Sequence, residues 1–274
     1  MNYKMVGFVL GRIFLIEAAL MLFPMGCAAI YGEWSIVLSF LWPTLIVLAL
    51  GLITSLRTPQ NTKIYARDGL AIVALVWVLM SVFGALPFVI SGEIPSFADA
   101  FFETVSGFTT TGSTILTDVE ALSHGTLFWR SFSHWIGGMG VLVFAMAVLP
   151  MTDGRAMHLM RAEVPGPTCG KISSKLSDSA KILYAIYLVM TVIETILLCA
   201  GGMPLFDALI HAFGTAGTGG FSNKALSVGA YNSRILRSSS ACSCCCSALT
   251  LTCIISCCCV ISVRRSPPRR CAST

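Results

Sequence analysis

Three threonines followed by a glycine, Thr109-Thr110-Thr111-Gly112, lie between long apolar segments of the chain. Hydroxyl and carbonyl oxygens on a turn that glycine permits can replace the water shell of a cation. Irregular backbone at membrane depth is tolerated only where protein buries it or where it lines a water-filled cavity. The run therefore predicts an ion selectivity filter, although taken alone it also fits a polar patch on an ordinary helix.

A second Thr/Gly turn, residues 215–222, repeats the arrangement of the first. Asp99 precedes Gly112 by 13 residues and Asp207 precedes Gly220 by 13 residues, so the two copies are offset by 108 at both ends. A fixed period indicates one structural unit that is used several times. Since a cation filter needs oxygens from several sides, the repeat favours the filter interpretation over the polar patch.

Long apolar helices must position these turns. The chain of 274 residues is 55% hydrophobic and 11% charged, whereas soluble domains carry about 25% charged residues. Several apolar runs exceed the ~20 residues that cross a bilayer, so we predict an all-α integral membrane protein. The excess of Lys and Arg in the predicted loops places the N-terminus in the cytoplasm and both turns toward the outside. The predicted helices are 6–31, 34–56, 69–91, 97–107 (short), 126–150, 179–199 and 204–214 (short).

Several polar or small residues flank the turns. We expect Arg130, near the outer start of the helix 126–150, to anchor that helix at the membrane interface. Glu103 belongs to a group of acidic residues that would raise the cation concentration near the mouth. His211, at the position equivalent to Glu103, is expected to be structural or to tune the mouth weakly. Glycines at positions 137, 138 and 140 predict close helix contacts.

Other functional classes find little support. The four histidines show no metal-ligand spacing and no Ser/His/Asp arrangement stands out, so we predict no enzyme and no catalytic residues. Nine of the 12 cysteines fall within 242–271, without the paired CxxC spacing of a zinc site. The formal charge of +5 arises entirely after residue 233, because residues 1–233 hold 12 Lys and Arg against 13 Asp and Glu. We therefore predict no nucleic-acid partner.

Five motifs carry a family resemblance that covers roughly residues 1–232. The chain resembles the Trk/Ktr/HKT superfamily of potassium transporters, and within it the TrkH-type subunits of bacterial Trk potassium uptake systems. The resemblance implies repeated helix–pore-loop–helix units, as in potassium channels, preceded by two extra transmembrane helices. The motifs are GALPF at 84–88, DAFFETVSGFTTTGST at 99–114, HWIGGMG at 134–140, RAEVPGP at 161–167 and GTAGTGGFS at 214–222.

The resemblance also implies a site, a cargo and partners. Potassium, the transported ion, is expected to bind carbonyl or hydroxyl oxygens of the two turns, and two glycines are expected to shape the filter. The family location is the bacterial inner membrane, with lipid around the protein. A homodimer and the cytosolic nucleotide-binding subunit TrkA are the implied protein partners. The implied potassium ligands are Thr110, Thr111, Thr218 and Gly219, and the filter-shaping residues are Gly112 and Gly220.

The expected organisation is about one and a half of four repeats. Residues 234–274 are rich in Ser, Cys and Arg and carry no family motif. We interpret them as an aberrant tail from a truncated or frameshifted reading of a longer gene. The expected segments are a two-helix region at 1–67, a first repeat at 68–150, a cytoplasmic loop at 151–178, a partial second repeat at 179–233 and the tail at 234–274.

Two alternatives stay open at this point. A secondary cation symporter built on broken helices would also place sites at half-helix ends. A non-conducting membrane fragment would fit the incomplete set of repeats.

Overall fold

The computed structural model describes residues 2–56, 59, 66–140 and 176–231, and within these ranges every element is helical. The predicted cytoplasmic loop and the tail 234–274 lie almost wholly outside the described residues. The helices, in chain order, are α1 (Tyr3–Ile30), α2 (Trp34–Ser55), α3 (Ala66–Ser91), α4 (Phe97–Phe108), α5 (His124–Met139), α6 (Leu176–Ala200) and α7 (Leu205–Ala216), followed by a 3-10 turn at Ser227–Tyr231.

The first two helices form a tightly packed antiparallel pair. A side chain at Gly11 would overlap Thr54, and one at Gly51 would overlap Leu15. Small residues allow helix backbones to approach closely in a membrane, where van der Waals packing drives association. Together with Arg67–Ser91, these two helices are long and apolar enough to cross a membrane.

The second half of the described chain repeats the design of α3 and α4. A long helix, α6, precedes the short α7 in the same way that α3 precedes the short α4. Helix α5 packs against both short helices and therefore joins the two units. Its Trp129 is fully buried, stacks edge-on against Phe108 at the end of α4, and donates its indole N–H to the carbonyl of Gly84 at 2.9 Å.

The helix predicted at 126–150 ends early within the described residues. Helix α5 stops at Met139, because Gly140 adopts a φ of +72°, in the left-handed region that favours glycine. The prediction of a helix running through position 140 was wrong, and residues 141–150 lie outside the description. At 16 residues, α5 is about 24 Å long, shorter than the ~30 Å apolar thickness of a bilayer.

Candidate cation-binding turns

The two predicted turns follow equivalent short helices. Helices α4 and α7 begin and end at the same offset of 108 residues, and each contains 12 residues. In the first turn the amide of Thr111 donates to the carbonyl of Ser106 at 3.0 Å. In the second, the amide of Gly219 donates to the carbonyl of Gly214 at 3.1 Å. The repeat read from the sequence is therefore also a repeat of backbone structure.

Both turns hold their backbone in the same uncommon conformation. Thr110 and Thr218 have φ values of +56° and +61°, and Gly112 and Gly220 have φ values of +74° and +78°. A positive φ is common for glycine but is an outlier for a β-branched residue. Strain of this kind persists only where the surrounding structure imposes it, and it clusters at functional sites. The same threonine conformation thus occurs at equivalent positions of both turns.

The two turns touch each other. A side chain at Gly112 would collide with the carbonyl oxygen, carbonyl carbon and Cα of Gly219. Gly112 of the first predicted turn therefore lies directly beside Gly219 of the second. The contact requires glycine at position 112 for two reasons, its φ and the space that Gly219 occupies.

Helix α5 packs against the end of α4 and against the second turn. Gly137 lies against the carbonyl of Phe108, where α4 ends, and Gly138 lies against the Cα of Gly217. The ring of His134, which is fully buried, occupies the space that side chains at Gly217 and Gly219 would need. The predicted close contact is thus confirmed for Gly137 and Gly138, whereas position 140 ends the helix.

Several residues of the two turns are at least partly exposed. Thr218 is exposed, Thr110 and Gly219 are half-buried, and the hydroxyl of Thr111 lies 2.8 Å from that of Thr109. Helices α4 and α7 both end immediately before the turns, so the negative ends of their dipoles lie next to these oxygens. Among the described residues, no group of three or more His, Cys, Asp or Glu side chains could hold a metal ion. The oxygen atoms that the turns themselves contain are backbone and hydroxyl oxygens.

Arg130 does not anchor α5 at the membrane interface, and that prediction was wrong. Its guanidinium is buried, forms an ion pair with Glu103 of α4, and lies 3.7 Å from the centre of the Phe221 ring. Glu103 is itself buried and accepts hydrogen bonds from the Thr114 hydroxyl and the Ile115 amide. Glu103 therefore has its charge paired inside the protein and does not lie at an open mouth. The sequence contained one signal for this burial, because an arginine in an apolar helix usually faces protein partners and not lipid.

His211 occupies the place in the second unit that Glu103 occupies in the first. Its Nε2 lies 3.0 Å from the Ser222 hydroxyl, and Ser222 stands at the same offset of 108 from Thr114. Its Nδ1 lies 2.7 Å from the carbonyl of Asp207, one turn earlier in α7. The structural role expected for His211 is consistent with these contacts.

A separate polar cluster joins the loop between α1 and α2 to the start of α5. Glu33, between α1 and α2, accepts hydrogen bonds from the amides of His124 and Gly125 at 2.9 and 3.0 Å. Partial burial raises the pKa of Glu33, but these backbone bonds and the adjacent His124 ring outweigh burial, so its pKa lies below the ordinary value. Tyr31 stacks on the His124 ring with centroids 3.9 Å apart.

Known proteins resemble this chain in sequence and in fold. The sequence profile of the TrkH family, described as a cation transport protein, matches residues 37–270. The chain belongs to the TrkH cation transport family. The matched range includes most of the tail in which the sequence showed no family motif. Three helices in the described part of the chain are long and apolar enough to span a membrane, so the chain is a multi-pass membrane protein.

Individual relatives agree with the family match. The "Trk system potassium uptake protein TrkH" of Salmonella typhimurium is 38% identical over 239 residues, which cover 85% of this chain and 49% of the relative. The protein of the same name from Escherichia coli K12 is 36% identical over 237 residues, with the same coverage of both chains. The crystal structure of the potassium transporter TrkH from Vibrio parahaemolyticus superimposes with a TM-score of 0.74 at 30% identity, covering 89% of this chain and 49% of that one.

These comparisons bear on the fold and the class of protein. The chain spans about half the length of the relatives it matches. The named relatives are transport proteins, not enzymes. The predicted fold, a TrkH-type arrangement of helices and short pore helices, is confirmed over the part of the chain that the structure describes.

Proposed function

We propose that the chain takes part in potassium uptake across the bacterial inner membrane, as a pore-forming part of a Trk-type system. The contact between Gly112 and Gly219 carries the proposal, because it brings two equivalent oxygen-bearing turns to one place. A filter requires such convergence, since a dehydrated cation needs oxygens from several sides. The names of the relatives support potassium as the cargo.

In this proposal the turns supply the ligands through backbone and hydroxyl oxygens. Thr110 and Thr111 serve in the first turn, and Thr218 and Gly219 serve in the second. The left-handed φ of Thr110 and Thr218 turns their peptide units out of the helical direction that α4 and α7 would otherwise continue. Gly112 and Gly220 shape the filter, because their own positive φ lets the chain leave each turn.

The wider organisation follows the same proposal. Residues 1–67 form the extra helical pair, 68–150 and 179–233 belong to two successive repeats, 151–178 is a cytoplasmic loop, and 234–274 follows as a separate tail. Apolar side chains exposed on α2, such as Leu38, Trp42 and Ile53, contact lipid. A second copy of the chain and a TrkA-type cytosolic subunit complete the assembly. The protein acts as a transporter and carries out no catalytic step.

Cation-dependent stability tests this function directly. Purified full-length protein is heated in detergent in potassium, sodium or choline chloride at equal ionic strength. Because binding to the folded state stabilises it, we expect the highest melting temperature in potassium. A Gly112→Ala variant should lose the potassium effect. Gly92→Ala should keep it, because Gly92 has a similar φ of +77° but lies in another turn.

Uptake in cells provides the second arm of the test. Expression of the full chain should restore growth at low potassium in a bacterial strain that lacks its own uptake systems, and the Gly112→Ala variant should not. Equal melting temperatures in potassium and choline would contradict the proposed function, and so would the absence of growth.

A further inference from the structure

Arg130 connects the two units at equivalent points. Its Nε donates to Glu103, and its Nη1 donates to the carbonyl of Ser222 at 3.0 Å. Glu103 in turn accepts from the hydroxyl of Thr114 at 2.9 Å. Thr114 and Ser222 are the same position of the repeat, each two residues beyond the filter glycine. We call Thr114, Glu103, Arg130 and Ser222 the cross-repeat network.

We propose that Arg130 is a positioning residue that sets the separation of the two turns and thereby the preference for potassium over sodium. This inference rests on the proposed function. The ion pair at the centre of the network is buried, since the Arg130 and Glu103 side chains are 3% and 0% exposed. A movement of one turn relative to the other must stretch or break a charge-assisted hydrogen bond in it, and such bonds are the stronger ones.

The guanidinium is suited to this task, whereas an ammonium is not. Its planar group donates in two directions, toward Glu103 and toward Ser222, while its face lies against the Phe221 ring next to the second turn. Lysine carries the same charge but is a compact donor on a flexible stem that cannot reproduce a planar fork. An Arg130→Lys variant should therefore keep the buried charge pair but hold Glu103 and Ser222 less firmly relative to each other.

A second ion pair between the units offers a matched control. Lys224 and Glu120 also join the segment after the second turn to the segment after the first, at 3.1 Å. Their side chains are 37% and 46% exposed, and in the described structure neither side chain forms a hydrogen bond or ion pair with Glu103 or Arg130; the Lys224 amide, which the substitution keeps, donates to the Ser222 hydroxyl. Removing this pair deletes one ion pair between the two units, as removing Arg130 and Glu103 does, but it leaves the cross-repeat network intact.

The test compares Arg130→Lys, a charge-neutral Glu103→Gln/Arg130→Gln double variant, and the control Glu120→Gln/Lys224→Gln. In each full-length protein, the potassium and sodium concentrations that give half-maximal thermal stabilisation are measured. Hydrogen exchange of the two turn segments is measured in choline, so that it does not depend on ion binding. We expect the potassium-to-sodium preference to fall about tenfold or more in both Arg130 variants and the turn amides to exchange faster. The control should match the wild-type protein within about twofold.

The outcomes separate this inference from the proposed function. If the wild-type protein shows no potassium-dependent stabilisation, the proposed function fails. If the wild-type protein responds and a folded Arg130→Lys variant keeps its ion preference and its amide protection, only the positioning role is overturned. If Arg130→Lys does not fold, the double variant decides, because it leaves no unpaired buried charge. A control variant that loses the preference equally would also overturn the inference.

Discussion

Replacing Gly112 with alanine, in comparison with Gly220→Ala, measures how closely the two turns approach each other. The two glycines are equivalent in the repeat and share a left-handed backbone, with φ values of +74° and +78°. Their surroundings differ. A Cβ at Gly112 would collide with the carbonyl of Gly219, whereas a Cβ at Gly220 would meet nothing within 4 Å in the described part of the chain.

The expected magnitude follows from two separate costs. Alanine in the left-handed region costs about 1–2 kcal/mol, and both variants bear this cost. Overpacking against a neighbour that cannot move away adds about 1–3 kcal/mol, and only Gly112→Ala bears it, because its neighbour is backbone. We therefore expect the free energy of unfolding to fall by about 1–3 kcal/mol more in Gly112→Ala than in Gly220→Ala.

Unfolding in mixed micelles, followed by tryptophan fluorescence in choline buffer, provides the assay. Choline removes any contribution from bound potassium, so the difference reports the contact alone. Gly92→Ala serves as a third variant, since it has a φ of +77° and nothing within 4 Å, and it should resemble Gly220→Ala. Equal destabilisation of the Gly112 and Gly220 variants would refute the contact between the turns.

Three further substitutions test the supports of the site. Glu33→Gln should make the melting temperature fall less steeply in acid. Because the pKa of Glu33 is lowered in the folded protein, the carboxylate stabilises the fold above its ordinary pKa of about 4.3, and this stabilisation is lost as the pH falls through the lowered pKa. The melting temperature measured against pH checks this. Trp129→Phe should cost at least about 1 kcal/mol, from the lost hydrogen bond to Gly84, and the unfolding assay above checks it. Gly137→Ala should lower the free energy of unfolding by about 1–3 kcal/mol, because the new methyl group pushes α5 away from α4. In the control Gly26→Ala the methyl group meets nothing within 4 Å, so the free energy of unfolding should change by no more than about 1 kcal/mol. Similar effects of the two substitutions would contradict the close helix contact.

The repeat and the turns were predictable because their signals are local. A fixed offset of 108 and glycines at equivalent positions specify a repeated backbone without any knowledge of tertiary packing. The short helices α4 and α7 were each placed within two residues of their observed ends. Glycine at 112 and 220 indicated the turns, and both residues do adopt a positive φ.

The network behind the turns was not predictable because its partners are distant in sequence. Arg130 lies 27 residues from Glu103 and 92 from Ser222, so its position near a helix start indicated an interface anchor. The end of α5 was missed for a different reason. The apolar sequence continues past Gly140 and fits a helix, whereas the structure ends the helix with the left-handed φ of that single residue.

Anomalous diffraction from crystals of the whole 274-residue chain grown in rubidium would locate the ion itself, because rubidium substitutes for potassium. We expect an ion peak beside the touching turns, at coordination distance from the carbonyl oxygens of Thr110 and Thr218. An ordered pair of turns with no ion peak beside them, or turns that lie apart from each other, would contradict this expectation.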